Sequence, residues 1–234
     1  MIGKILGFLK GPFQRKSNEI FYKQFIGENK LFFDIGANVG FKTEVFRKLG
    51  VTVVSVEPQH SCFDILKNKF TKDDKVKLVN NGIGSQRGSL KIKISSSSSL
   101  ISTFSDKWTK DGRFNNFLYD QEQDVEVITF EDLIADYGVP DFAKIDVEGY
   151  EYEVISGLKQ KIPCLSFEFT SEFFSDSIKI IDYLTSLGYK NFNYGQGEKM
   201  KLKLNEWLDK DSFLRHILSE IESNKGVWGD IYVK

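Results

Sequence analysis

Cysteine is nearly absent: Cys62 and Cys164 are the only two in 234 residues. They lie far apart in apolar-flanked positions, which excludes a disulfide framework, offers no metal-ligand spacing and suits reduced thiols. No apolar run approaches the ~20 residues of a membrane span. The N-terminus lacks a signal-peptide h-region with a small-residue cleavage site, so a cytoplasmic protein is expected. Neither sign of charge is in excess, with 32 Lys and Arg against 33 Asp and Glu, so nothing in the charge argues for nucleic acid as partner. There is no internal repeat and no dividing linker, and the length suits one α/β domain with elaborations.

What is present centres on Leu31–Gly40, LFFDIGANVG. Leu31, Phe32, Phe33 and Ile35 form the apolar run of a buried parallel strand, broken only by Asp34. Gly36 and Gly40 bracket Ala37-Asn38-Val39, and Phe41–Lys48 reads as a helix with Phe41, Val45 and Phe46 on its apolar side. Strand, glycine turn and helix make half of a βαβ unit, where backbone and helix N–H groups approach a small ligand closely. A dinucleotide loop would carry a middle glycine, which is missing here, and Asp34 would repel its pyrophosphate. The next strand, Thr52–Val56, ends in Glu57-Pro58, and an acid there accepts hydrogen bonds from a ribose diol. A ligand with a ribose, an amino group and no phosphate suits both acids, and S-adenosyl-L-methionine is the candidate.

The rest of the chain extends this pattern. Residues 1–30 read as an N-terminal helical extension: Ile2, Ile5, Leu6 and Leu9 have helical spacing, for packing on the sheet or weak membrane-surface contact by residues 1–10, and Ser17–Ile26 forms a second helix. Residues 31–234 form the main domain. A helix capped near Ser61 runs to Phe70, and Val76–Val79 is a third strand with Asn80-Asn81-Gly82 at its end, placed to read an adenine edge or to make a plain turn. Ser89–Ile94 alternates like a half-exposed strand, and Ser95–Ser99 reads as a flexible serine loop. The segment 95–123 is an aromatic-rich insertion, either a substrate lid or a helical insertion with its own apolar cluster. Thr129 and Asp132 signal a capped helix. Phe142–Asp146 is a fourth core strand ending in Asp146-Val147-Glu148-Gly149. Leu165–Phe169 is a fifth, with Glu168 near its end. Tyr189–Tyr194 and Gly229–Val233 follow as a sixth and an antiparallel seventh.

Four motifs in order carry a family resemblance. DIGANVG at Asp34–Gly40, Glu57-Pro58, VNNGIGSQRGSLKI from Val79 and KIDVEGYE at Lys144–Glu151 together resemble the FkbM-type S-adenosylmethionine-dependent methyltransferases. The resemblance spans roughly Leu31 to Phe169. It implies a Rossmann-like seven-stranded α/β sheet, mostly parallel with an antiparallel last strand and helices on both faces. The implied cofactor residues are Asp34, Gly36, Asn38, Gly40, Glu57, Pro58, Asn81, Gly82 and Asp146.

The reaction expected is O-methylation of a hydroxyl on a sugar, glycan or secondary metabolite. Asp146, Glu148 and Glu168 are the candidate bases, since an alcohol must lose its proton. The alternative role for Asp146 and Glu148 is capping of the following helix. His60 has no acid partner in the sequence and reads as a surface or cofactor-rim residue. A divalent metal is not expected, because no third ligand is identifiable. Two alternatives stay open: an NAD-dependent oxidoreductase on the same sheet, and a non-catalytic binding protein that keeps the fold. The oligomeric state is not written in the sequence.

Overall fold

Every residue of β1 (Leu31–Ile35) is buried, and alternate side chains leave it on opposite faces. Leu31, Phe33 and Ile35 enter the largest apolar cluster, whereas Phe32 enters a second one with Phe21, Tyr22, Phe46 and Phe142. A strand covered on both faces belongs at the centre of a layered sheet. The computed structural model, which describes residues 12–234, places it there.

On one side of β1 lie β2 (Thr52–Val56) and then β3 (Val76–Val79), both parallel to it. On the other side lie β8 (Phe142–Ile145) and β9 (Cys164–Thr170), again parallel. β11 (Trp228–Val233) then runs antiparallel between β9 and the edge strand β10 (Phe192–Gln196). The seven-stranded order β3-β2-β1-β8-β9-β11-β10 is Rossmann-like, and its winding direction reverses between β1 and β8. Open α/β sheets bind ligands in the crevice at the strand ends beside such a reversal.

Helices cover both faces. α1 (Pro12–Tyr22) and α2 (Phe41–Lys48) supply Phe21, Tyr22, Val45 and Phe46 to the second cluster, with α3 (His60–Phe70) beside them. α3 begins at His60, ahead of the expected Ser61 cap, with Gln59 as its N-cap residue. The opposite face takes α5 (Phe130–Tyr137), α6 (Glu151–Ser156), α7 (Phe174–Ser186) and α8 (Lys210–Ser223). Thr129 and Asp132 close a reciprocal capping box on α5, and Gly138 ends it at φ +94°. The membrane-contact reading of residues 1–10 falls outside the described residues. Among the described residues no helix is long and apolar enough to cross a membrane.

A second sheet stands over the crevice, and the sequence pattern showed only part of it. It orders β4 (Gly82–Gly84), β7 (Gln121–Thr129), β5 (Gly88–Ser95) and β6 (Ser98–Thr103), with β5 antiparallel to both β7 and β6. The serine run is therefore a hairpin rather than a flexible loop: Ser95 pairs with Ser98, and Ser96 donates its N–H and its hydroxyl to Asp120. Serine has no apolar periodicity to betray a strand, and here ladder and side-chain hydrogen bonds hold it instead. The following aromatics fold around α4 (Asp106–Asp111), where Trp108 and Phe114 are buried with Ile101 in a satellite cluster. The sixth strand starts at Phe192 rather than Tyr189, whose ring is buried and whose hydroxyl accepts the Ile162 N–H.

Candidate active site

The turn after β1 must be glycine for a steric reason. Gly36 has φ +83°, and a Cβ there would lie 1.9 Å from the Asp146 carbonyl oxygen, because the ends of β1 and β8 nearly touch. The N–H groups of Gly36 and Ala37 both donate to the Val56 carbonyl, which draws the turn over the end of β2. Asn38 (φ +49°) and Gly40 (φ +85°) complete it. A Cβ on Gly40 would strike Leu66 and Phe70, so that glycine serves the approach of α3 rather than the crevice wall.

Glu57 is the hub of the turn. Its Oε2 accepts the Asn38 N–H at 2.7 Å and its Oε1 accepts the Gln59 N–H at 2.8 Å. Burial pushes its carboxyl up to about 7, against the pull of those two amides. Asp34 sits deeper, with Oδ2 accepting the Thr43 hydroxyl at 2.6 Å, and burial raises it to about 6 despite that bond. Both acids line a cavity of about 210 Å³ together with Gly36, Asn38, Pro58 and Asp146. Asn81 and Gly82 are not on its wall. Asn81 donates its amide to the Glu126 carbonyl, and Gly82 begins β4, packed against Phe104 and Val127. The Asn-Gly signal therefore marks entry into the second sheet.

The three acids proposed as bases converge. Asp146, Glu148 and Glu168 present carboxylate oxygens that all lie within 4.8 Å of one another, a group able to hold a metal ion. The three ligands that looked incomplete along the chain are thus assembled by the parallel neighbours β8 and β9. Among the described residues no side chain caps the next helix, whose N-cap residue is Tyr150; Glu151 instead folds back onto the loop before it, accepting the Gly149 N–H at 3.1 Å and the Val147 N–H at 3.3 Å. Burial, with Glu168 nearby, raises Glu151 to about 7. With that helix start left without a side-chain cap, Asp146 and Glu148 stand on the cavity wall, Glu148 in a left-handed conformation at φ +52°. The Thr103 hydroxyl holds the Glu148 carbonyl at 2.6 Å, tying β6 to the site.

Several site residues escaped the sequence. Lys144 is fully buried beneath the acids, with Nζ 3.0 Å from Asp230 and 3.4 Å from Asp146. Burial works against its charge, but Asp146 and Asp230 overcome it and hold the amine above the ordinary lysine value. A lysine inside the apolar strand Phe-Ala-Lys-Ile was the available signal. α1 contributes Gln14 and Asn18 to the wall, and Lys42 donates to Asn18 at 2.7 Å while lying 4.9 Å above the Tyr22 ring. Asn38 donates its amide to the Ser99 carbonyl at 2.9 Å, so the hairpin touches the glycine turn. His60 is exposed and lies off the wall.

The acid-lined crevice thus lies at the reversal of a Rossmann-like sheet. The chain matches the family model described as Methyltransferase FkbM domain over residues 34–190, and it belongs to that family. No curated protein matches the sequence. Solved structures resemble it weakly. A precorrin-6y C5,15-methyltransferase from Geobacter metallireducens GS-15 is 12% identical, with 94% of this chain and 86% of that one covered at a TM-score of 0.47. An O-methyltransferase from Bacillus cereus, solved in complex with SAH, is 11% identical, with 95% and 81% covered at a TM-score of 0.45.

Proposed function

We propose that the protein is an S-adenosylmethionine-dependent O-methyltransferase that acts on a hydroxyl of a sugar, glycan or secondary metabolite. The observation that carries this reading is the pairing of two buried carboxylates, Asp34 and Glu57, with a glycine turn that has no room for a Cβ. Glu57 would receive the ribose diol, since each of its oxygens keeps a lone pair beyond the amide it already holds. Asp34, Asp146 and the acids around them favour a cationic ligand and disfavour the pyrophosphate of NAD. Family membership points the same way.

When bound, S-adenosylmethionine supplies the methyl group and departs as a thioether. The chain's own work is placement and proton removal. Glu57 would hold the ribose and Asp34 would favour the cationic part of the cofactor, with Gly36 leaving the backbone open to it. One carboxylate of Asp146, Glu148 and Glu168 would take up the single proton that the acceptor's hydroxyl loses on methylation, and the other two would orient that hydroxyl. The buried Lys144 ammonium balances part of that negative charge and holds Asp146 in place.

Calorimetry with S-adenosylhomocysteine and with NAD tests the cofactor, and mass spectrometry of an acceptor panel treated with methyl-labelled cofactor tests the reaction. Binding of the former alone, with label on a hydroxyl oxygen, is expected. Preferred binding of NAD would overturn the proposal.

A further inference from the structure

Behind the acid cluster lies a second chamber of about 540 Å³, whose wall shares Phe104 and Glu168 with the first. We propose that this chamber receives the acceptor, and that the acceptor is a neutral or amino sugar bearing no phosphate or carboxylate. The proposal rests on the methyltransferase reading above, and three features of the wall carry it.

The first is charge. Lys107 and Lys179 are the lysines on the wall, and both are held by Asp176, at 2.6 and 2.8 Å. Asp106, Glu151, Glu153 and Glu168 add further carboxylates, of which Asp106 is paired to Lys93 from outside. Ionised carboxylates only accept hydrogen bonds, so the wall suits ligands dense in O–H and N–H donors and repels anions. The second is surface. Phe104 and Tyr150 meet with ring centroids 5.3 Å apart at the junction of the chambers, and Tyr152 lies further out, 39% exposed. Aromatic faces attract the apolar C–H side of a sugar ring and the charge of an ammonium group. The third is an unmet donor. Trp108 is on the wall and 3% exposed, and its buried indole N–H has no acceptor among the described residues. Buried donors are normally satisfied, so an N–H left without an acceptor on a residue of this wall makes Trp108 a sensitive reporter of what enters the chamber.

A phosphate-free acceptor also places the enzyme in sequence. Its substrate must come from a step that has already joined the sugar to another molecule or hydrolysed its phosphate, rather than from a pool of activated sugar nucleotides.

The test uses the full chain saturated with S-adenosylhomocysteine, whose binding is measured in the same sample by calorimetry. The chain has three tryptophans, and Trp108→Phe assigns the Trp108 indole N–H signal in nitrogen-resolved NMR spectra. Methyl β-glucoside and glucosamine should move that signal at millimolar concentration, and glucose 6-phosphate should bind at least about ten-fold more weakly. Tyr152→Ala should weaken both favourable sugars about five-fold and leave S-adenosylhomocysteine affinity unchanged. Equal or tighter binding of glucose 6-phosphate overturns the proposal. A silent Trp108 signal with every sugar, while S-adenosylhomocysteine binds, overturns it alone. Absence of S-adenosylhomocysteine binding overturns the methyltransferase reading with it.

Discussion

Replacing Glu57 by alanine removes the group that joins the glycine turn to the ribose position. Two charge-assisted hydrogen bonds to a ribose diol, at about 1.5–3 kcal/mol each, sum to about 3–6 kcal/mol. At 1.4 kcal/mol per factor of ten, S-adenosylhomocysteine affinity should fall by about 10²- to 10⁴-fold. The carboxyl ionises near 7 in the ligand-free protein, so calorimetry belongs at pH 8, where the wild-type acceptor is charged. The substitution also strips the acceptor from the Asn38 and Gln59 amides, and thermal melting must show that the variant still folds. Glu57→Gln is the companion. It keeps the shape and one acceptor oxygen but no charge, and its affinity should fall between the other two. A folded Glu57→Ala protein whose S-adenosylhomocysteine affinity stays within about two-fold of wild type would refute the assignment of β2's end to the ribose.

Asp34→Ala should also weaken the cofactor, by about 10-fold or more, because it removes a charged group worth roughly 1.5–3 kcal/mol from the buried wall; unchanged calorimetric affinity would remove Asp34 from the site. Glu148→Gln should lower turnover by about 10²-fold with nearly normal S-adenosylhomocysteine binding, as loss of a general base does, whereas full activity would transfer that role to Asp146 or Glu168. Gly36→Ala should destabilise the fold by more than about 1 kcal/mol, through a left-handed φ and contact with the Asp146 carbonyl, and a melting temperature equal to wild type would contradict the geometry. Asp34, Glu57 and Glu151 all titrate above their unfolded values, at about 6, 7 and 7. The folded state therefore holds more protons between the two sets of values, and their contribution is fully present below the unfolded pKa and lost as pH rises through 6 to 7. Urea midpoints of the cofactor-free protein should drop between pH 5 and pH 8, and a steady rise over that range would speak against the buried acids.

Local chemistry determined the first half of the βαβ unit. An apolar run, two glycines and an amphipathic helix within Leu31–Lys48 need only near neighbours to declare themselves, and β1, the turn and α2 lie where that pattern put them. Acids at strand ends were legible for the same reason, since Asp34, Glu57, Asp146 and Glu168 each interrupt or end an apolar run. The fold alone decided which of them meet. Asp146, Glu148 and Glu168 form one group because β8 and β9 are parallel neighbours in register, while Glu151 folds back to brace the loop between Asp146 and the helix. Asn81 and Gly82 read as cofactor residues because Asn-Gly looks the same in a binding loop as at the start of β4, and pairing with β7 carried them away. The same holds for Lys144 with Asp230, and for Gln14 and Asn18 on the cavity wall. These partners are distant along the chain, and what brings them together is the order of strands and the packing of helices, which no short window of sequence encodes.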